Sequence, residues 1–134
     1  VEEGMSYNAG KIRNVPVTIG GCVYIPPLPF EDQVREDIRN IVESNKTPLS
    51  KAIEALLYIK MKQLFLDGNK RTTVIFANHI LIKNAAGLIV IPAEKVDEYK
   101  KLLIHYYETN EKETIIKFLK DECYISLKWL TKFT

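Results

Sequence analysis

Cysteine is scarce in this chain of 134 residues: only Cys22 and Cys123 occur, far apart and without CxxC spacing. That rules out a disulfide framework, although one Cys22–Cys123 bridge is possible without being implied. The two histidines build no Cys/His cluster, so there is no zinc site to propose. Two reduced thiols fit a cytoplasmic protein. Long apolar runs are also missing: none approaches the roughly 20 residues that span a bilayer. No signal-peptide pattern opens the chain. Charge of one sign is absent as well. The 19 Lys and Arg against 17 Asp and Glu leave a formal net charge of +2. That is too little to call for nucleic acid or an anionic membrane as partner. There is no internal repeat and no low-complexity stretch. What remains is an ordinary globular composition, 46% hydrophobic and 27% charged, of a size for one domain over residues 1–134. The chain opens Val1-Glu2-Glu3-Gly4 without an initiator Met, as expected of a piece of a longer protein.

The periodicity is mainly helical. Residues 11–25, β-branched and carrying Pro16 and Gly20-Gly21, read as strand, turn and strand, an edge hairpin in which Pro16 donates nothing. Pro26-Pro27 and Pro29 follow as an extended connector. From Phe30 the period changes: Val34, Ile38, Ile41 and Val42 share a face, and Asn45-Lys46 ends that helix. Thr47 caps the next and Pro48 opens it. Its buried stripe is Ile53, Leu56, Leu57 and Leu64, and it runs to about Gln63. A third helix begins near Gly68-Asn69 and ends at Gly87. Its middle, 74–82, is apolar almost all round, which places it at the centre of the fold. Residues 88–91 form a short extended run closed by Pro92. Two amphipathic helices follow, about 93–108 and 111–124, and the tail SLKWLTKFT continues as a short helix, where Trp129 and Phe133 either dock the tail or mark a contact with a missing segment.

The segment QLFLDGNKRT, from Gln63 to Thr72, carries chemistry. A glycine turn feeds the first turn of a helix, whose unpaired N–H groups and macrodipole favour an anion. Gly68 lets a phosphate approach the backbone, and Asn69 offers an amide. Lys70 and Arg71 place two cations at the end of the helix where cations are unfavourable by about 0.3–1 kcal/mol each, a cost that a bound anion offsets. Asp67 stands where it could hold a Mg²⁺ that bridges phosphate oxygens. Asp-Gly-Asn is also a serviceable turn and cap, so the loop taken alone leaves a plain helix start open.

The surroundings give the loop a context. Phe65, Asp67, Gly68, Asn69, Lys70 and Arg71 match the motif His-x-Phe-x-Asp/Glu-Gly-Asn-Gly/Lys-Arg, and the segment thereby resembles the Fic family. Gly10-Lys11-Ile12-Arg13, the following VPVTIGGCVYIPP and the two-helix spacing to the motif are similar to the family's Gly-x-x-Arg segment, flap and Pro-Pro. The resemblance covers about residues 1–92. It implies a mainly α bundle with a small β-hairpin flap, and an enzyme that transfers AMP from ATP to a Ser, Thr or Tyr hydroxyl of a target protein. It further implies Mg²⁺ on Asp67, and phosphates on Gly68, Asn69, Lys70, Arg71 and the loop amides. Phe65 would anchor the loop. The flap residues Val15, Val17, Thr18, Ile19, Cys22, Val23 and Tyr24 would hold the target by strand addition. An inhibitory segment or antitoxin outside this chain is a further implied partner.

Three positions depart from that pattern. Gln63 stands where the family has its catalytic His, and a glutamine amide cannot take a proton near neutral pH as an imidazole can. The resemblance therefore implies phosphate binding with impaired transfer, or a pseudoenzyme that binds without turnover. Lys70 and Val74 resemble the Asn-Lys-Arg-Thr branch that includes Doc toxins, which transfer a phosphate instead of AMP, though Doc carries Ala at the position of Gly68. Elsewhere, Glu2-Glu3-Gly4 reads as a solvated turn. His79 reads as a core or helix-surface histidine, and His105-Tyr106-Tyr107 as a half-buried helix edge.

Overall fold

The structure, a computed structural model, describes residues 12–65 and 69–128, the side chains of Asn69 and Lys70 excepted. Helix α1 (Glu31–Val42) starts with Glu31 and Asp32 in its first turn, where carboxylates complement the macrodipole. It turns Val34 inward and leaves Ile38 and Ile41 half-buried. Helix α2 (Pro48–Lys62) opens as the sequence requires: the Thr47 hydroxyl accepts the Ser50 N–H at 3.2 Å, and Pro48 takes a position that needs no donor. Helix α3 (Asn69–Lys83) lies against α2. Strand β1 (Gly87–Ile89) follows, then a 3₁₀ turn at Ala93–Lys95, α4 (Val96–Thr109), α5 (Glu113–Glu122) and strand β2 (Tyr124–Ser126).

The architecture is mainly α with one small antiparallel sheet, as expected. The sheet, however, does not lie in 11–25. Residues 12–30 make their turn at Gly20-Gly21 but carry no strand ladder. The sheet joins β1 to β2, in the register Gly87↔Ser126, Leu88↔Ile125 and Ile89↔Tyr124. Pro16 offers no N–H for pairing, and the segment is held instead by side-chain bonds described below. Strand β2 falls where the expected helix 111–124 ends and the tail SLKWLTKFT, expected to continue as a short helix, begins. The other partner of β1 is a side chain. Asn78 Nδ2 donates to the Ile89 carbonyl at 3.0 Å, and the Ile89 N–H donates to Asn78 Oδ1 at 2.7 Å. One amide on α3 thus completes the edge of β1 as a neighbouring strand would.

The centre of the fold also differs from expectation. Helix α2 is the enclosed one, with Ala52, Ile53, Ala55, Leu56, Leu57, Ile59 and Lys60 all buried. Helix α3 buries Thr73, Ala77, Ile80 and Leu81 on one face but leaves Ile75 67% and Ile82 63% exposed. Apolar residues on every side permit a central position but cannot supply the neighbours that would cover each side. The main core joins α2, α3 and β1 to Tyr99, Leu103, Tyr106 and Tyr107 of α4 and Ile115, Phe118 and Leu119 of α5. A smaller cluster of Val34, Ile59 and Leu64, with Phe65 packed on it, lies under α1. Each buried Leu or Ile contributes about 1.5–3 kcal/mol relative to exposure. Cys22 and Cys123 are both free. Among the described residues no helix is long and apolar enough to cross a membrane.

Helix α3 ends in a Schellman turn: Ala86 N–H donates to Leu81 O at 2.8 Å and Ala85 N–H to Ile82 O at 3.0 Å. The left-handed residue is Ala85, φ 52°, and not the expected Gly87. Gly87 is needed two residues later, at φ 150°, where a Cβ would stand 2.1 Å from the Ile125 carbonyl oxygen. Gly87→Ala is therefore expected to cost more than about 2 kcal/mol. Ala85→Gly relieves strain but loosens the unfolded chain and should change stability by less than about 1 kcal/mol. Urea unfolding measures both, and a Gly87→Ala chain as stable as the parent would refute this close strand approach.

Candidate functional site

The last turn of an α-helix leaves carbonyl groups without intrahelical partners. At the end of α2 each of these is met by a side chain. Gln63 N–H closes the helix on Ile59 O at 2.9 Å. Beyond it, Lys60 O accepts from Gln63 Nε2 at 2.7 Å, and Met61 O from the Tyr24 hydroxyl at 3.0 Å. Lys62 O accepts from Arg13 Nη2 at 3.0 Å, and Gln63 O from Arg13 Nε. Leu64 O takes the Arg13 backbone N–H at 2.8 Å. The same guanidinium reaches back to its own segment, with Nη1 on Val15 O and Nη2 on Pro27 O, both at 2.9 Å.

Arg13 is only 4% exposed. Among the described residues its hydrogen-bond partners are all backbone carbonyls. A helix C-terminus carries partial negative charge, so a buried cation is favourable there. Burial pulls the guanidinium down from the usual arginine range, with Tyr24 acting the other way, yet an arginine keeps its proton. Burial likewise raises the Tyr24 hydroxyl, Arg13 opposing it. The clamp fixes Gln63 at φ 46°, ψ 61°, left-handed for a residue with a side chain. That conformation costs on the order of 1–2 kcal/mol, which the bonds around it offset.

Beside Gln63 lies a cavity of about 400 Å³. Thr18, Ile19 and Gly20 form one wall, Lys60 and Gln63 the second, and Lys100, Leu103, Ile104 and Tyr107 of α4 the third. The α4 residues recur at i, i+3, i+4 and i+7, one face of a helix. The turn at 20–21 rests on α4 through neighbouring contacts. Tyr24 stacks on Tyr107 with ring centroids 5.7 Å apart, and Val23 N–H donates to Glu108 Oε2 at 3.2 Å. Lys60 is buried, with Nζ 5.9 Å from the Tyr99 ring centroid.

The structure brings Thr18, Ile19 and Gln63 to one cavity. Val15 and Val23 are exposed, Val17 and Cys22 half-buried, and Tyr24 turns its ring and hydroxyl inward. Phe65 packs half-buried in the smaller core cluster, as an anchor should. Arg71 is exposed in the first turn of α3, a turn without acidic residues. Asp67 and Gly68 lie outside the described residues, as do the side chains of Asn69 and Lys70 and the residues Trp129 and Phe133. His79 is exposed on α3, and His105 Nε2 lies 3.1 Å from Glu111 Oε2; neither lines this cavity. The wall from α4 is new relative to the sequence reading. Its only signal is the helical spacing of Lys100, Leu103, Ile104 and Tyr107, which any amphipathic helix shares.

Comparison with known proteins adds one match: the sequence model of the Fic/DOC family fits residues 2–81, more than half of the 134 residues. No curated protein matches the chain.

The clamp has a direct consequence for stability. Arg13→Met keeps the aliphatic stem but strands four carbonyls, two of them at the end of a buried helix. A loss of about 3 kcal/mol is expected in denaturant unfolding, and a loss under about 1 kcal/mol would show that water replaces the guanidinium freely.

Proposed function

Because the chain belongs to the Fic/DOC family, we propose that it is a Fic-type adenylyltransferase scaffold. It binds ATP and a target protein, and transfer of AMP to the target's hydroxyl is held low by Gln63. The observation that carries this reading is the position of residue 63. It sits at the end of the clamped helix, on the rim of a cavity that the 18–20 turn and α4 close. The phosphates would lie at the start of α3, on the amides after Gly68 and on Asn69, Lys70 and Arg71. The nucleotide's base would enter the cavity, where Leu103, Ile104 and Tyr107 offer apolar and aromatic walls and the lysines polar ones.

Mg²⁺ binds through one or two carboxylates plus substrate phosphates and needs no all-protein cage. Among the described residues no group of three or more His, Cys, Asp or Glu could hold an ion. A single Asp67 beside the phosphates suits that donor chemistry. When bound, the ion would neutralise charge building on the phosphate oxygens.

In the transfer itself, the target's hydroxyl oxygen forms a bond to the α-phosphorus, the bond to the bridging β-phosphate oxygen breaks, and pyrophosphate leaves. The hydroxyl proton must go to a base. Gln63 can accept a hydrogen bond from the hydroxyl but cannot take its proton, and general base catalysis is worth about 10²–10⁴-fold. The target segment would lie along Val15, Val17, Thr18, Ile19, Cys22 and Val23, through main-chain bonds. Since Tyr24 faces inward, only its backbone could share in this. A second reading, a pseudoenzyme that binds without turnover, is favoured by one contact: Gln63 Nε2 already caps Lys60 O, which gives residue 63 a structural task that needs no catalysis. Transfer of a phosphate, as the Lys70 and Val74 branch suggests, is the third.

Gln63→His is expected to raise labelling of a lysate or of the chain itself by roughly 10²-fold or more with ATP labelled at the α-phosphate. Label from the γ-phosphate instead would assign phosphate transfer. Equal, substantial activity in both chains would sink the role given to residue 63, and silence in both with ATP still bound would select the pseudoenzyme. Calorimetry with ATP and Mg²⁺ should show weaker binding in Arg71→Ala; unchanged affinity would remove the phosphate site from the start of α3. A bound target peptide should slow amide exchange within 15–24, and slowing elsewhere alone would refute strand addition.

A further inference from the structure

We infer that Arg13 is a positioning residue that makes the flap and residue 63 one mechanical unit, an inference that rests on the transfer reading above. The flap segment and the end of α2 lie far apart in sequence, with Arg13 and Gln63 50 positions apart. They share one buried cation. Two of its bonds, to Val15 O and Pro27 O, hold the base of the flap from both sides. Two others, to Lys62 O and Gln63 O, hold the backbone that aims residue 63. The Arg13 N–H on Leu64 O continues the same seam. Tyr24 adds a second tie, its hydroxyl on Met61 O and its ring on Tyr107 in the cavity wall.

This arrangement does more than stabilise. A guanidinium has a rigid planar fork, so carbonyls bonded to its different nitrogens are held at fixed positions relative to one another. A target strand that adds to the flap therefore arrives in a frame that already contains residue 63. The left-handed Gln63 could not hold its conformation against an untethered helix end, where frayed carbonyls would take water. The cation thus sets the distance between the bound hydroxyl and the group meant to receive its proton. Displacements of about 1 Å at such a site cost on the order of 10²-fold in rate.

The test uses the Gln63→His chain and its Arg13→Lys derivative. Lysine keeps the charge but lacks the fork. Per folded molecule, kcat for α-phosphate labelling should fall about 10–100-fold while ATP affinity stays within about twofold. Tyr24→Phe, which removes one hydroxyl and keeps the stacked ring, should lower kcat in the same direction by a smaller factor. Unchanged kcat per folded molecule in Arg13→Lys overturns the proposal, because a merely structural arginine would affect only the folded fraction. Amide hydrogen exchange in the chain with Gln63 judges the coupling without any activity. Arg13→Lys should speed exchange at Gln63 about 10-fold or more, together with amides at 15–24, and leave Leu103 and Tyr106 in α4 unchanged. No change at Gln63, or equal acceleration throughout α4, overturns the coupling. If Gln63→His labels nothing while the exchange pattern holds, the transfer reading fails and the coupling stands.

Discussion

The site depends on one buried cation placed at the end of one helix. Arg13 gives its side-chain donors to carbonyls of Val15, Pro27, Lys62 and Gln63, and none of these partners is charged. An ion pair at this depth would have to overcome the desolvation of two charges. A guanidinium spread over polar carbonyls leaves only one charge to desolvate, and the C-terminal end of α2 supplies part of the compensating field. The carbonyls need donors in any case, since buried backbone groups left unpaired are costly. The clamp therefore satisfies two demands with the same bonds.

Much of the local geometry follows from that. Gln63 adopts a left-handed conformation because its carbonyl and those before it are held. Leu64 then drops into the small core with Val34 and Ile59, and Phe65 packs over it. The chain leaves this anchored point toward the start of α3. The residues proposed from the motif to bind phosphate follow this point in sequence, as far as Arg71 in the first turn of α3. Binding loops are commonly carried in this way, on a rigid scaffold that sets their ends.

Residue 63 also shows how structural and chemical roles compete. In the family pattern its position calls for a proton acceptor, while here the side-chain amide is spent on the Lys60 carbonyl. Glutamine is a good cap and a poor base, so under the proposed reading residue 63 serves the scaffold and not the chemistry. The cavity proposed for the nucleotide, by contrast, is walled by a mixture of apolar, aromatic and cationic groups.

What was legible in the sequence was what depends on neighbours along the chain. Thr47-Pro48 announces the start of α2, the 3.6-residue period reveals the buried stripe of Ile53, Leu56 and Leu57, and Gly20-Gly21 marks its turn. The anion site proposed at the start of α3 is read from the sequence for the same reason, because helix termini attract anions wherever they occur. The tertiary structure alone decided what depends on residues brought together from afar. It chose α2 over α3 as the enclosed helix, since covering a face requires neighbours that periodicity does not name. It paired 87–89 with 124–126, because three-residue strands carry too little pattern to announce a partner. Glycine went to position 87 for a close strand approach, and the helix end was left to Ala85. Above all it gave Arg13 its task. In sequence it is one cation in a segment beside a flap; only folding carries the end of α2 to it, and a hydrogen bond to a backbone carbonyl leaves no trace in the identity of the residue that accepts it.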